Sequence, residues 1–226
     1  MSDIFNIHLC SNSSCNFRFP SQVIIGSTNA ERSQPPNDQC PRCGALTRIV
    51  ESFIQDTQGF LQPQRSELRH IEALLDNIRS VYNVGSMFRT ADGCGIAHLH
   101  LCGISATPEG SKLSKTALGA EHSVSWSYHN NAVIAADELR NRGLTLWALE
   151  GCSGAQSLFD AQKDIPDEPI ALVVGNEVSG VDPGLINECE RLVYIPMFGD
   201  KSSLNAATAF GIAAYYLRFM TETNAP

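Results

Sequence analysis

The chain reads as an α/β domain, a mostly parallel sheet with helices on both faces, preceded by a small zinc-ribbon-like module. Three observations carry this reading. From residue 69 to 226, short apolar runs alternate with segments of 3.6-residue period, as strands and helices in turn would. Residues 1–50 show little apolar periodicity but contain Cys10, Cys15, Cys40 and Cys43. Between them, residues 51–68 mix polar and apolar types around Gly59 and Pro63, as a linker does.

The first fifty residues are rich in Ser, Asn, Pro and Cys and cannot bury a core of their own, so they need a staple. CPRCG at 40–44 is a tight thiolate turn, and Cys10 and Cys15 are spaced as zinc ligands often are. Four thiolates suit tetrahedral Zn2+. His8 is a possible substitute ligand, and two disulfides or four unligated thiols are the competing readings. A metal with four protein ligands has no open position and would be structural. MSDIFNIHLC lacks the basic start and apolar run of an export signal, which favours zinc and a cytoplasmic location. Cys94, Cys102, Cys152 and Cys189 lie in apolar or helical contexts and read as buried small hydrophobes.

The elements of the larger domain follow in order. HIEALLDNI begins it, and NVGSMFRTADGCG at 83–95 reads as a helix with Asn83 as cap and Gly93 as stop. IAHLHLCGI is a buried strand. KLSKTALGAEHSVSW reads as a loop carrying Lys112 and Lys115, and SVSWSY, which overlaps its end, as a short strand. NAVIAADELRNRG is a helix ending at Gly143. LTLWALEG, IALVVGNE and RLVYIP are three more strands. DPGLINECE is a short helix with Asp182 as cap and Pro183 in its first position. SLNAATAFGIAAYYLRFM closes the domain as an alanine-rich helix.

No run of eighteen apolar residues exists, so a membrane span is not expected. A net charge of −8 argues against nucleic-acid binding by bulk electrostatics and requires a local basic site instead. GNEVSG has its glycines at phosphate-loop spacing, but Val181 and Asp182 stand where Lys and Ser/Thr would be, and no G-x-G-x-x-G follows a strand. His70, His98, His100, His122 and His129 show no metal or triad spacing and read as structural. Arg89 sits in the 83–95 helix one turn after Gly85 and Ser86. A cation beside small residues and helix N-terminal amides suits a phosphate, the alternative being a surface arginine over a close helix contact.

Three segments together resemble a known family. NIRSVYNVGSMFRTADGCG, IALVVGNEVSGV and YIPMFGDKSSLNAATAFGI are similar, in order and approximate spacing, to the three motifs of the SpoU family of RNA ribose 2′-O-methyltransferases, within the SPOUT superfamily. The resemblance covers about residues 70–220. It implies a parallel-sheet domain whose C-terminal segment forms a deep trefoil knot, S-adenosylmethionine held there largely by backbone groups, and a homodimer acting on tRNA or rRNA. Carried over by position, Gly175, Ile195, Met197 and Leu204, with Leu149 at a strand end, would line the cofactor pocket. Glu177 would hold the loops around it. Arg89 would be the essential arginine, with Asn83, Ser203 and Asn205 beside it. Val178 stands where a glycine is frequent in the family. The cysteine module lies outside the family domain; Arg18, Arg42 and Arg48 would serve it if it recognises RNA. A non-catalytic RNA- or protein-binding adaptor on a knotted dimer is the alternative, and a zinc-dependent enzyme acting on a small molecule is a third reading.

Overall fold

The computed structural model describes residues 3–23, 38–55 and 69–220. The chain divides into two compact units, Met1–Pro63 and Gln64–Pro226.

In the first unit, β1 (Asp3–Cys10), β2 (Arg18–Val23) and β3 (Thr47–Gln55) form an antiparallel sheet in the order β2-β1-β3. Residues 51–55, assigned to the linker from the sequence, complete β3; residues 56–68 lie outside the described residues. The strands escape periodicity because neither sheet face is fully covered within the unit. Phe53 and Ile54 point to opposite faces and are 44% and 64% exposed. Phe5 stacks on Phe53 with ring centroids 5.6 Å apart.

The second unit is built on a seven-stranded sheet. Its strands are β4 (Ile71–Asp76), β5 (His98–Cys102), β6 (Ser125–His129), β7 (Thr145–Leu149), β8 (Gln156–Ser157), β9 (Ile170–Val174) and β10 (Arg191–Tyr194). Their order is β6-β5-β4-β9-β7-β10-β8, and every pairing among them is parallel. All residues of β4 and β9 are buried, the pattern of central strands covered on both faces. Ile71, Ala73, Leu75, Leu172 and Val174 face α1 (Val81–Cys94) and α5 (Ala206–Phe219); Leu74, Ala171, Val173, Leu146 and Ala148 face α3 (Ala132–Asn141) and α4 (Pro183–Glu188). Among the described residues, no helix is long and apolar enough to cross a membrane.

Two expectations about helices are corrected. Asn83 does not cap α1: Ser80 does, its Oγ accepting from the Asn83 N–H at 3.4 Å, and the helix runs past Gly93 to a left-handed Gly95 (φ 72°). The last carbonyls of α1 are covered by Arg218 of α5, which donates to Cys94 O at 2.7 Å and Gly95 O at 2.6 Å. The segment read as a loop at 112–126 contains α2 (Ser111–Ala117), which buries Leu113 and Ala117 against α1. Asp182 caps α4 as expected, and Asn205 caps α5.

Gly85 is where α2 meets α1. A Cβ there would lie 2.0 Å from Thr116 Oγ1 and 2.9 Å from the Ala117 backbone nitrogen. Helix propensity alone would favour alanine by about 1 kcal/mol. Overpacking against α2 costs about 1–3 kcal/mol and involves backbone that cannot swing aside. Gly85→Ala is therefore expected to lower the thermal midpoint, measurable by calorimetry or circular dichroism.

Candidate functional site

The carboxyl ends of β7, β9 and β10 open onto a cavity of about 500 Å3. Ligands of parallel sheets bind at this end, outside the last strand residues. Leu149 ends β7, Gly175 follows β9, and Ile195, Met197 and Leu204 come from the segment between β10 and α5; all five line the cavity. Glu177, Ser203 and Asn205 also line it, and Val178 stands at its wall 76% exposed. Gly175 has no room for a side chain: a Cβ would lie 2.2 Å from Val181 N and 2.3 Å from the Gly180 carbonyl carbon. That contact closes the 176–180 turn, in which the Asn176 and Gly180 backbones pair at 3.0 and 2.9 Å.

A polar chain binds the three motif segments together. The Glu177 carboxylate accepts from the Arg79 and Ser80 amides at 2.8 and 3.0 Å and from Asn83 Nδ2 at 2.6 Å. Asn83 Oδ1 accepts from Asn205 Nδ2 at 3.0 Å, while Asn205 Oδ1 accepts from the Ala207 and Thr208 amides at the start of α5. Partial burial pushes the Glu177 pKa up, but the amides of Arg79, Glu177 and Ser80 and the Asn83 side chain outweigh it, and the net shift is downward. Glu177 is thus held as an anion that fixes the entry of α1.

Asn83 is buried behind this network rather than lining the cavity, and Arg89 is exposed and outside the cavity. The room expected beside Arg89 at Gly85 is filled by Thr116. Sequence reasoning missed Glu150 and Tyr194 among the lining residues. Glu150 accepts from the Val181 amide at 2.9 Å, so it braces the turn that closes over Gly175. A carboxylate directly after a buried strand, in LWALEGCSG, was the available signal.

Four of the histidines, His70, His98, His100 and His129, gather in one hydrogen-bonded network. His70 and His100 approach opposite oxygens of the buried Glu72 at 2.8 and 2.7 Å, and Arg142 completes that pairing. Ser127 Oγ lies 2.8 Å from His98 Nε2, 2.8 Å from His129 Nε2 and 3.2 Å from His100 Nδ1. The neutral imidazoles satisfy this set: His100 gives its Nε2 proton to Glu72, Ser127 gives its proton to His100, and His98 and His129 donate to Ser127. Burial, with His100 second, lowers the His98 pKa to about 4; burial likewise lowers that of His129. Depressed histidine values mean that the unfolded chain binds more protons between about pH 4 and 6.5. Their contribution to stability is therefore complete above the unfolded value and is lost as pH falls through this window. Thermal melts at pH 7.5 and 5 should show a larger acid-induced drop for the native chain than for a His98→Gln/His129→Gln variant.

In the first unit the four cysteines converge. The sulfurs of Cys10 and Cys43 are 3.4 Å apart and those of Cys15 and Cys40 3.9 Å, and all four lie within 4.8 Å of one another. A tetrahedron of Zn–S bonds of about 2.3 Å has edges of about 3.8 Å, so the donor set matches such an ion. All four are free thiols rather than disulfides. Burial raises the Cys40 pKa, but the Arg42 and Cys43 amides together with the Cys10 and Cys43 thiols outweigh it and bring it down to about 7. His8 is not in the cluster: it is buried and hydrogen-bonded to Ser21 Oγ at 2.8 Å and Thr47 Oγ1 at 3.2 Å. Arg18 is paired with Glu51 at 2.8 Å.

Comparison with known proteins places this geometry. Residues 70–215 match the model of the SpoU rRNA Methylase family. The 23S rRNA (guanosine(2553)-2'-O)-methyltransferase RlmP of Bacillus subtilis is 32% identical over 146 residues, covering 64% of this chain and 56% of that enzyme. The tRNA (guanosine(18)-2'-O)-methyltransferase of Aquifex aeolicus is 29% identical over 170 residues, 74% of this chain and 76% of the relative. The crystal structure of the SpoU methyltransferase AviRb from Streptomyces viridochromogenes, in complex with the cofactor AdoMet, superposes with a TM-score of 0.60 at 27% identity, over 67% of this chain and 60% of that one. The family match spans the parallel sheet and every segment that lines the cavity, so the chain belongs to the SpoU rRNA Methylase family.

Proposed function

We propose that the protein is an RNA ribose 2′-O-methyltransferase that takes its methyl group from S-adenosylmethionine. The observation that carries this is the convergence of the segments after β7, β9 and β10 on one cavity, with Asn83, Glu177 and Asn205 linked behind it. A volume of about 500 Å3 is within the range of small-molecule sites. The apolar Leu149, Ile195, Met197 and Leu204, with the backbone at Gly175, would hold the cofactor, which supplies a methyl group already activated on sulfonium sulfur.

The chain's own task is to align a weak nucleophile. Arg89, outside the cavity and permanently protonated, would grip the RNA phosphate beside the target ribose and bring the 2′-oxygen into line with the cavity mouth. As the oxygen–methyl bond forms and the carbon–sulfur bond breaks, the hydroxyl proton passes to a phosphate oxygen or neighbouring polar group and on to solvent. Glu177 orients rather than takes the proton, since its carboxylate is already engaged by three donors. Ser203 lines the cavity near Asn205 and would contact ligand there.

Relatives acting on tRNA and rRNA support an RNA substrate of one of these classes. We further assign one structural Zn2+ to Cys10, Cys15, Cys40 and Cys43, and a cytoplasmic homodimer with the family's C-terminal knot; the half-exposed Tyr215 and Phe219 on α5 favour a subunit contact there. The exposure of Arg89 outside the cavity keeps the adaptor reading in view. Calorimetric titration with S-adenosylmethionine, followed by mapping of ribose methylation on unmodified tRNA and rRNA transcripts, tests the assignment. No binding and no transfer would leave the adaptor.

A further inference from the structure

Exposed cations in this acidic chain are unevenly matched. On the face covered by α3 and α4, Arg140 pairs with Glu188 and Glu190, and Arg142 with Glu72. Around α1 and α2, Arg79, Arg89, Lys112 and Lys115 are all exposed, and none has a carboxylate within 4.0 Å among the described residues. Unpaired cations gathered on one surface mark where a polyanion is accepted.

The helical phase of α1 says where that surface lies. At about 100° per residue, Ser86 and Arg89 fall about 40° and 20° to either side of Tyr82, forming one exposed stripe. On the Arg89 side, at about 60°, lies Gly85, against which α2 is docked. On the other side, at about 100°, lies Asn83, bonded to Glu177 and Asn205 of the cavity wall. The stripe therefore runs between the cavity and the lysine-bearing helix. Tyr82 itself is 72% exposed.

We propose that this ledge carries the single-stranded RNA flanking the methylated nucleotide, with Tyr82 stacking on a base and Lys112 and Lys115 holding phosphates. The inference rests on the RNA reading above. An aromatic ring among cations is the usual means of holding unpaired nucleic acid: the ring takes any base face, and the cations follow the backbone. Neither lysine belongs to the motif segments, so the ledge would set how RNA is presented without touching the methyl donor.

The test uses the full chain with Lys112→Ala/Lys115→Ala, Tyr82→Ala and the ring-preserving Tyr82→Phe. Labelled, unmodified tRNA and large-subunit rRNA transcripts are titrated by fluorescence anisotropy at several salt concentrations. The double lysine variant and Tyr82→Ala should each weaken RNA binding about tenfold, and the lysine variant should reduce the salt slope by about 1.4 to 2. Tyr82→Phe should bind as the native chain does, and S-adenosylmethionine affinity should not move in any of them. Unchanged RNA affinity and salt slope would overturn the ledge, as would a native chain that binds neither RNA class. Loss of self-association by Tyr82→Ala with RNA affinity intact would make this face a subunit contact and also overturn it. Methyl transfer on the same samples separates the two levels. Transfer by native and variant chains alike refutes only the ledge; RNA bound through the ledge without transfer refutes the reaction instead.

Discussion

Arg89→Ala is expected to lower kcat/KM for methyl transfer about a thousandfold while leaving the S-adenosylmethionine dissociation constant unchanged. The magnitude is that of removing one charged group that acts on the transition state from an otherwise intact site. The split follows from position: Arg89 is exposed on α1 and outside the cavity, so it can serve the RNA but not the cofactor. Arg89→Lys should recover only part of the rate, because a point charge replaces the planar fork that grips two phosphate oxygens. Single-turnover methylation with labelled cofactor, alongside calorimetric cofactor titration, measures both quantities. Near-native turnover in the alanine variant would remove Arg89 from the mechanism.

The second large effect concerns the module. Replacing Cys40 and Cys43 with serine should reduce bound zinc from about one ion per chain to almost none, and β1, β2 and β3 should lose their amide protection. Structural zinc contributes about 10–16 kcal/mol of apparent binding free energy in small modules. This sheet has little else to rely on, with Phe53 and Ile54 exposed on its two faces. The second unit, with its own double-sided core, should melt at an unchanged temperature. Elemental analysis and hydrogen exchange read the two parts. Full protection of β1–β3 in the metal-free variant would show that the thiols are not a staple.

Those expectations trace how much was legible in the residues. The parallel sheet was readable because central strands buried on both faces must be apolar throughout, as IEALLD and IALVV nearly are. The cavity-wall residues were readable only through motif resemblance, since Leu149, Gly175, Ile195, Met197 and Leu204 carry no chemistry that marks them singly. Antiparallel β3 was not readable, because strand alternation needs one buried face to report on. Helix α2 was missed because seven residues with two buried side chains give too little periodicity.

By itself the sequence determined the covalent and local terms: a thiolate quartet, a capping residue at Asp182, apolar strands, and an arginine one turn beyond two small residues. Tertiary structure alone decided what each faces. Asn83 became the bridge between Glu177 and Asn205 instead of a cap, Gly85 became a docking point for Thr116 instead of space for a ligand, and five scattered histidines resolved into four gathered around Glu72 and Ser127, leaving His122 apart. The physical reason is that capping and strand burial are settled within a few residues, whereas most of these contacts join positions about 30 to 120 residues apart in sequence, and only the closed sheet brings them within bonding distance.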